Sequence, residues 1–169
     1  MVPLILLVDD EVEATDALRR SFHGEPWRIL VAHSGREALN IMATEAVDVI
    51  LVDQEMPGMT GTELLSHLRQ QYPDAVRMML TGHARLDLAM RAIDQGDIYR
   101  FFVKPVSSID LTVSVRQALQ AKMLQDENRR LQATVREQAA LLDELEQANP
   151  GITRVQRDAD GVILIEDED

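Results

Sequence analysis

Short apolar runs punctuate the first hundred residues: "LILLV" at 4–8, "WRILVA" at 27–32, "VDVILV" at 47–52, "VRMML" at 76–80 and "IYRFFV" at 98–103. None keeps a regular apolar–polar alternation, so each predicts a strand covered on both faces. Between them lie stretches such as "SGREALNIMATEA" and "TGTELLSHLRQQY", whose apolar positions recur at three and four and predict amphipathic helices. Five strand–helix repeats imply a parallel sheet between two helical layers. The chain is too short for a (β/α)8 barrel, which leaves a doubly wound, five-stranded α/β domain of about 120 residues.

From Ser107 the pattern becomes helical and continues to "ANPG" at 148–151. Ser107 or Ser108 with Asp110 marks the start, and Pro150 with Gly151 the stop. An unbroken helix over 107–149 would run roughly 63 Å at 1.5 Å per residue. Placing Leu124 at heptad position d puts Asn128 at a, Leu131 at d, Val135 at a, Gln138 at d, Leu142 at a and Leu145 at d. That spacing predicts a coiled coil over 121–149, and a single Asn at an a position favours two parallel strands in register. A solvated helix, or one folded back on its own domain, is the alternative, kept open by Gln138 and weakly charged flanks. The acidic tail over 150–169 carries two short runs around "DADG", a β-hairpin signal. It suits a hairpin, a strand exchanged between protomers or a docking tag.

Composition narrows the function classes. A formal charge of −12 and a pI near 4.7, with no Lys/Arg cluster, argue against nucleic-acid binding. Cysteine is absent, which removes disulfides, thiolate chemistry and zinc-finger sites. The apolar run at the start has no basic flank or cleavage site and is too short to span a bilayer, so a soluble cytoplasmic protein is expected.

In a doubly wound sheet, ligands bind beyond the carboxyl ends of the strands, where strand order reverses. Asp9 and Asp10 follow the first strand, Asp53 the third, and Lys104 with Pro105 the fifth. In the order 2-1-3-4-5 the first and third strands are neighbours, so the three aspartates would converge. Converging carboxylates resist joint ionisation unless a cation sits among them. An all-oxygen site of this kind suits Mg²⁺. A solvated turn or a helix cap is the plainer account of "DD" taken alone. The conjunction of "VDD", "VDQEMPGMTG", "LTG" and "FFVKP" at successive strand ends is what favours a site.

With those motifs in place, the chain resembles, over about residues 3–121, the response-regulator receiver (CheY-like) domains of two-component signalling, which implies a receiver domain at 1–121. "GDIYRFFVKP" is similar to the subset found with hydrogenase-regulator and cyclic-diguanylate phosphodiesterase (HD-GYP) outputs, although Val103 and Val106 stand where that subset often has Thr and Trp. The resemblance implies that Asp53 accepts a phosphoryl group, that Asp10 is the main Mg²⁺ ligand with Asp9 supporting, and that Glu55 offers its backbone carbonyl to the metal. It implies further that the Thr81 hydroxyl bonds the phosphoryl group, Lys104 pairs with it, and Phe101 rotates when Thr81 moves. Glu55 and His83 occupy the positions at which this family tunes acyl-phosphate lifetime. Pro105 resembles the family's cis proline. In "MPGMTG", Pro57, Gly58 and Gly61 suit a tight loop, Gly61 equally a simple turn, with Thr60 or Thr62 capping the next helix. Met56, Met59, Met78 and Met79 are expected as core or loop filler.

A carboxylate nucleophile can form an acyl phosphate when the incoming oxygens are neutralised. The donor would be a phosphohistidine on a sensor histidine kinase or phosphotransfer protein, or a small donor such as acetyl phosphate. The expected protein is a homodimer through its C-terminal helix that signals to a protein partner. It would catalyse only its own phosphorylation and dephosphorylation. A haloacid-dehalogenase-type phosphatase would want Asp-x-Asp after the first strand, and a flavodoxin-like cofactor binder a phosphate loop there; "VDDE" supplies neither. The stronger rival is a constitutively dimeric scaffold whose output does not depend on phosphorylation.

Overall fold

A computed structural model describes residues 2–82, 86–94 and 98–150. Five strands, β1 (Leu4–Val8), β2 (Arg28–Ala32), β3 (Val49–Asp53), β4 (Val76–Thr81) and β5 (Arg100–Val103), alternate with α1 (Val12–Ser21), α2 (Gly35–Thr44), α3 (Gly61–Gln71), α4 (Leu86–Asp94) and α5 (Ser108–Ala148). All pairings are parallel, in the order β2-β1-β3-β4-β5. The doubly wound sheet expected from the apolar runs is the one observed. The strands are trimmed at their edges, and Asp53 is the last residue of β3 rather than the first beyond it.

Every residue of β1 and β3 is buried, and successive side chains enter different cores. Leu4, Leu6, Val8, Ile50, Val52 and Met79 pack with Ala38 and Met42 of α2, Leu64, Leu65 and Leu68 of α3, and Ala89 of α4. Ile5, Leu7, Val49, Leu51, Met78 and Leu80 pack with Leu18 of α1, Phe22, and Leu111, Val115, Ala118 and Leu119 of α5. A strand that feeds two cores cannot alternate apolar with polar, which is the physical reason for the uninterrupted runs. Met56, Met78 and Met79 lie in the core and Met59 against it.

Several polar contacts tie α5 into the domain, among them Ser108 with Ser21, Ser114 with Arg100 and Arg116 with Glu25. The Thr112 hydroxyl donates to the Ser21 carbonyl (3.1 Å), joining the ends of α1 and α5. Near the other end of the packed stretch, Lys122 Nζ lies 3.1 Å from Asp48 Oδ1, while Asp48 Oδ2 accepts from the Leu4 N–H (2.9 Å). The fold divides into two units after Met123. In the second unit α5 continues to Ala148, close to the stop expected at Pro150. There Leu124, Leu131, Val135, Leu142 and Leu145 are each exposed by about half or more. The Asn128 side chain donates to the Leu124 carbonyl one turn earlier. The tail over 151–169, and with it the expected hairpin, lies outside the described residues, as does His83. No described helix is long and apolar enough to cross a membrane.

Candidate functional site

The carboxyl ends of β1 and β3 meet at the point where strand order reverses, with β4 and then β5 following on the far side of β3. Asp9, Asp10 and Asp53 each offer a carboxylate oxygen, and these oxygens lie within 4.8 Å of one another. Asp9 and Asp53 are buried; Asp10 faces solvent. Lys104 reaches over from the end of β5 and spans the two buried acids, with Nζ 2.6 Å from Asp53 Oδ1 and 3.2 Å from Asp9 Oδ2. Its backbone N–H donates to the Thr81 carbonyl (2.8 Å), which registers the lysine against the end of β4. The Lys104–Pro105 peptide is cis.

Each buried carboxylate is held by a second bond of its own. Asp9 Oδ1 accepts from the Glu11 N–H (3.0 Å) at the start of α1. Asp53 Oδ2 accepts from the Glu55 N–H (2.8 Å). The helix-cap reading of "DD" is therefore partly realised in Asp9, without displacing its ion pair to Lys104.

The electrostatics follow from the count of charges. Burial pushes the Asp53 carboxyl above its ordinary value; the Lys104 hydrogen bond and charge pull it down, the Asp9 charge adds to the rise, and the net is upward. Burial alone would lower Lys104, but its contacts with Asp53 and Asp9 outweigh that and hold the ammonium up. Burial is thus the largest influence on Asp53, while the two carboxylate partners of Lys104 are what raise it: a single ammonium is shared by two buried carboxylates, with Asp10 a third beside them. Three carboxylates against one ammonium leave the site short of positive charge. A compact group of hard oxygen donors with a negative surplus fits a small divalent cation such as Mg²⁺.

Thr81, fully buried at the end of β4, donates its hydroxyl to the Gly82 carbonyl (3.2 Å). Phe101, two residues before the end of β5, packs half-buried against the core on the α2–α4 face. The loop from β3 to α3 turns through Gly58, whose φ of +80° favours glycine. Gly61 is not merely a turn residue: a Cβ there would come 2.5 Å from the Asp53 carbonyl oxygen. Between the two threonines the structure chooses Thr60 as the α3 cap, in a capping box with Glu63. Thr62 instead bonds Gln54, a buried residue beside Asp53 that the sequence reading passed over. The available signal was an uncharged polar side chain at the close of an apolar run.

A doubly wound domain with an acidic, lysine-spanned pocket at its switch point belongs to the receiver class. The chain is a member of the response regulator receiver domain family, whose model matches residues 5–116. It is 36% identical over 138 residues to the hydrogenase transcriptional regulatory protein HoxA of Cupriavidus necator, covering 82% of this chain and 28% of that protein. Among solved structures, the signal receiver domain of an HD domain-containing protein from Pseudomonas fluorescens is 34% identical at a TM-score of 0.69, over 73% of this chain and 98% of that one. A structure described as adenylate cyclase from Rhodopirellula baltica is 33% identical at a TM-score of 0.74, over 79% of this chain and 98% of that one. The hydrogenase-regulator kinship suggested by "GDIYRFFVKP" agrees with the HoxA match. The chain spans about a third of the length of the curated relatives it matches.

Proposed function

We propose that this receiver accepts a phosphoryl group on Asp53 from a sensor histidine kinase or phosphotransfer protein, and signals through a dimeric α5 to a protein partner. The observation that carries the reading is the Asp53 carboxylate, buried at the end of β3, 2.6 Å from Lys104 and grouped with Asp9 and Asp10. In the transfer an Asp53 oxygen forms a bond to phosphorus as the donor's phosphorus–nitrogen bond breaks, and the departing imidazole takes up a proton. Lys104 then pairs with a phosphoryl oxygen in place of the carboxylate oxygen it now holds. The Glu55 N–H keeps the other carboxylate oxygen oriented. Asp10 and Asp53 would hold Mg²⁺, with the Glu55 backbone carbonyl as a further ligand and Asp9 supporting. When bound, the metal supplies positive charge to the transferring oxygens.

Thr81 and Phe101 form the switch: the Thr81 hydroxyl turns from Gly82 to the phosphoryl group, and Phe101 follows into the space left. The Glu55 and His83 side chains govern how readily water reaches the acyl phosphate. Leu124, Asn128, Leu131, Val135, Leu142 and Leu145 form the dimer seam over 121–149. Its support is the exposure of five apolar side chains, which an isolated helix has no means of burying. The acidic composition, with no Lys/Arg cluster, supports a receiver that touches no nucleic acid; as proposed, it is also cytoplasmic, off the membrane and without catalytic output of its own within 1–169.

The test is incubation of the full chain and of Asp53→Asn with acetyl phosphate and Mg²⁺, read by intact mass and by light scattering. A phosphoryl adduct on the wild type alone, with a change in assembly, is the expected result. An adduct on Asp53→Asn as well overturns the assignment of the acceptor. No adduct, even from a phosphorylated histidine kinase, together with an unchanged dimer favours the scaffold reading.

A further inference from the structure

Gln54 carries more hydrogen bonds than a residue at the end of an apolar strand needs. Its backbone N–H donates to the Leu80 carbonyl (2.8 Å), which fixes it to β4. Its backbone carbonyl accepts from the Gly61 N–H (3.1 Å). Its side-chain Oε1 accepts from the Thr62 N–H (3.0 Å) and from the Thr62 hydroxyl (2.6 Å). The side chain is itself buried, at 4% exposure for the residue.

Two of the first N–H groups of α3 therefore end on one residue, which closes the neck of the loop over 55–60. Helix initiation does not require this. Thr60 and Glu63 already form a reciprocal capping box on α3. Burying and ordering a Gln side chain costs free energy that a redundant cap would not recover. What the neck does fix is Glu55, the next residue along, whose N–H orients Asp53 Oδ2 at 2.8 Å. Asp10, Gln54, Glu55 and Thr62 also line one cavity beside the acidic cluster.

We propose that Gln54 is a positioning residue of the site: through Thr62 and the loop neck it sets the placement of Glu55, and hence the affinity for the divalent cation. The inference rests on the Mg²⁺ reading above. Groups that orient metal ligands without touching the metal change affinity on the order of 10- to 100-fold when removed.

Mg²⁺ alone is titrated calorimetrically into the dephosphorylated full chain, with thermal midpoints taken in parallel without metal. Gln54→Ala is expected to raise the Kd on the order of tenfold, and Thr62→Val to raise it by a smaller factor. The double variant should bind no more weakly than Gln54→Ala alone, because the Thr62 hydroxyl acts only through the Gln54 carbonyl. Glu63→Gln weakens the capping box and should leave the Kd unchanged. Wild-type affinity in Gln54→Ala, with only its midpoint lowered, overturns the inference and leaves Gln54 a cap. Should Gln54→Ala fail to fold, an unchanged Kd in Thr62→Val overturns it equally. A wild type that binds no Mg²⁺ overturns the cation reading, and this inference with it.

Discussion

At the scale of single residues, the site is a charge imbalance held in place by backbone bonds. Burial drives the Asp53 carboxyl upward, so its ionised form burdens the metal-free fold at every pH above its ordinary value of 3.8, fully once the pH passes the raised value. Asp53→Asn should accordingly raise the thermal midpoint at pH 7 without metal. The difference should close as the pH falls through the raised value toward 3.8, as followed by circular dichroism. Mg²⁺ should lift the wild-type midpoint and barely move that of the variant, because a ligand stabilises only the state that binds it. The aspartates and Lys104 were legible because their motifs recur at successive strand ends along one sheet edge, a conjunction that a solvated turn or a helix cap after one strand does not explain. Gln54 was not, because an uncharged amide carries no such signature and its partner Thr62 lies eight residues on.

At the scale of elements, α3 shows how local rules settle a boundary. Thr60 accepts from the Glu63 N–H, and the Glu63 carboxylate accepts from the Thr60 N–H (2.9 Å). Thr60→Ala should cost about 1 kcal/mol of stability, measured by urea unfolding. The Thr60 backbone and side-chain hydrogen bonds hold the Glu63 carboxyl below its ordinary 4.5. Its contribution to stability is present above pH 4.5 and is lost as the pH falls through the lowered value. The wild type should therefore lose stability more steeply than Glu63→Gln across that window in an acid titration. The Thr-x-x-Glu spacing was readable in "TGTE", yet Thr60 and Thr62 competed for the cap on sequence grounds. The reciprocal bonds of Thr60 with Glu63, and the engagement of Thr62 by Gln54 across the loop neck, separate them.

At the scale of the whole molecule, the receiver has buried apolar cores on both faces of its sheet, while the apolar seam residues of the later half of α5 are exposed. Leu131 and Val135 stand 56% and 63% exposed on a helix whose own domain ends at Met123. If these residues form the seam of a second strand, Leu131→Asp with Val135→Asp should convert the dimer to a monomer in sedimentation equilibrium. The melting of the receiver should persist. An unchanged mass would exclude the seam.

The sequence by itself determined the strand–helix alternation, the parallel doubly wound sheet and the edge at which the acids gather. Those features follow from local periodicity and from burial of both sheet faces, which strand-by-strand patterning records directly. The tertiary structure decided what depends on approach between distant segments. It put Lys104 across Asp9 and Asp53, pressed Gly61 against the Asp53 carbonyl, and closed the loop neck through Gln54. The Lys104 contacts exist only when β1, β3, β4 and β5 pair, and the Gly61 and Gln54 contacts only when the chain folds back from β3 into α3. No pattern along the chain encodes their distances, because side chains that meet across strands are free to choose partners by geometry alone.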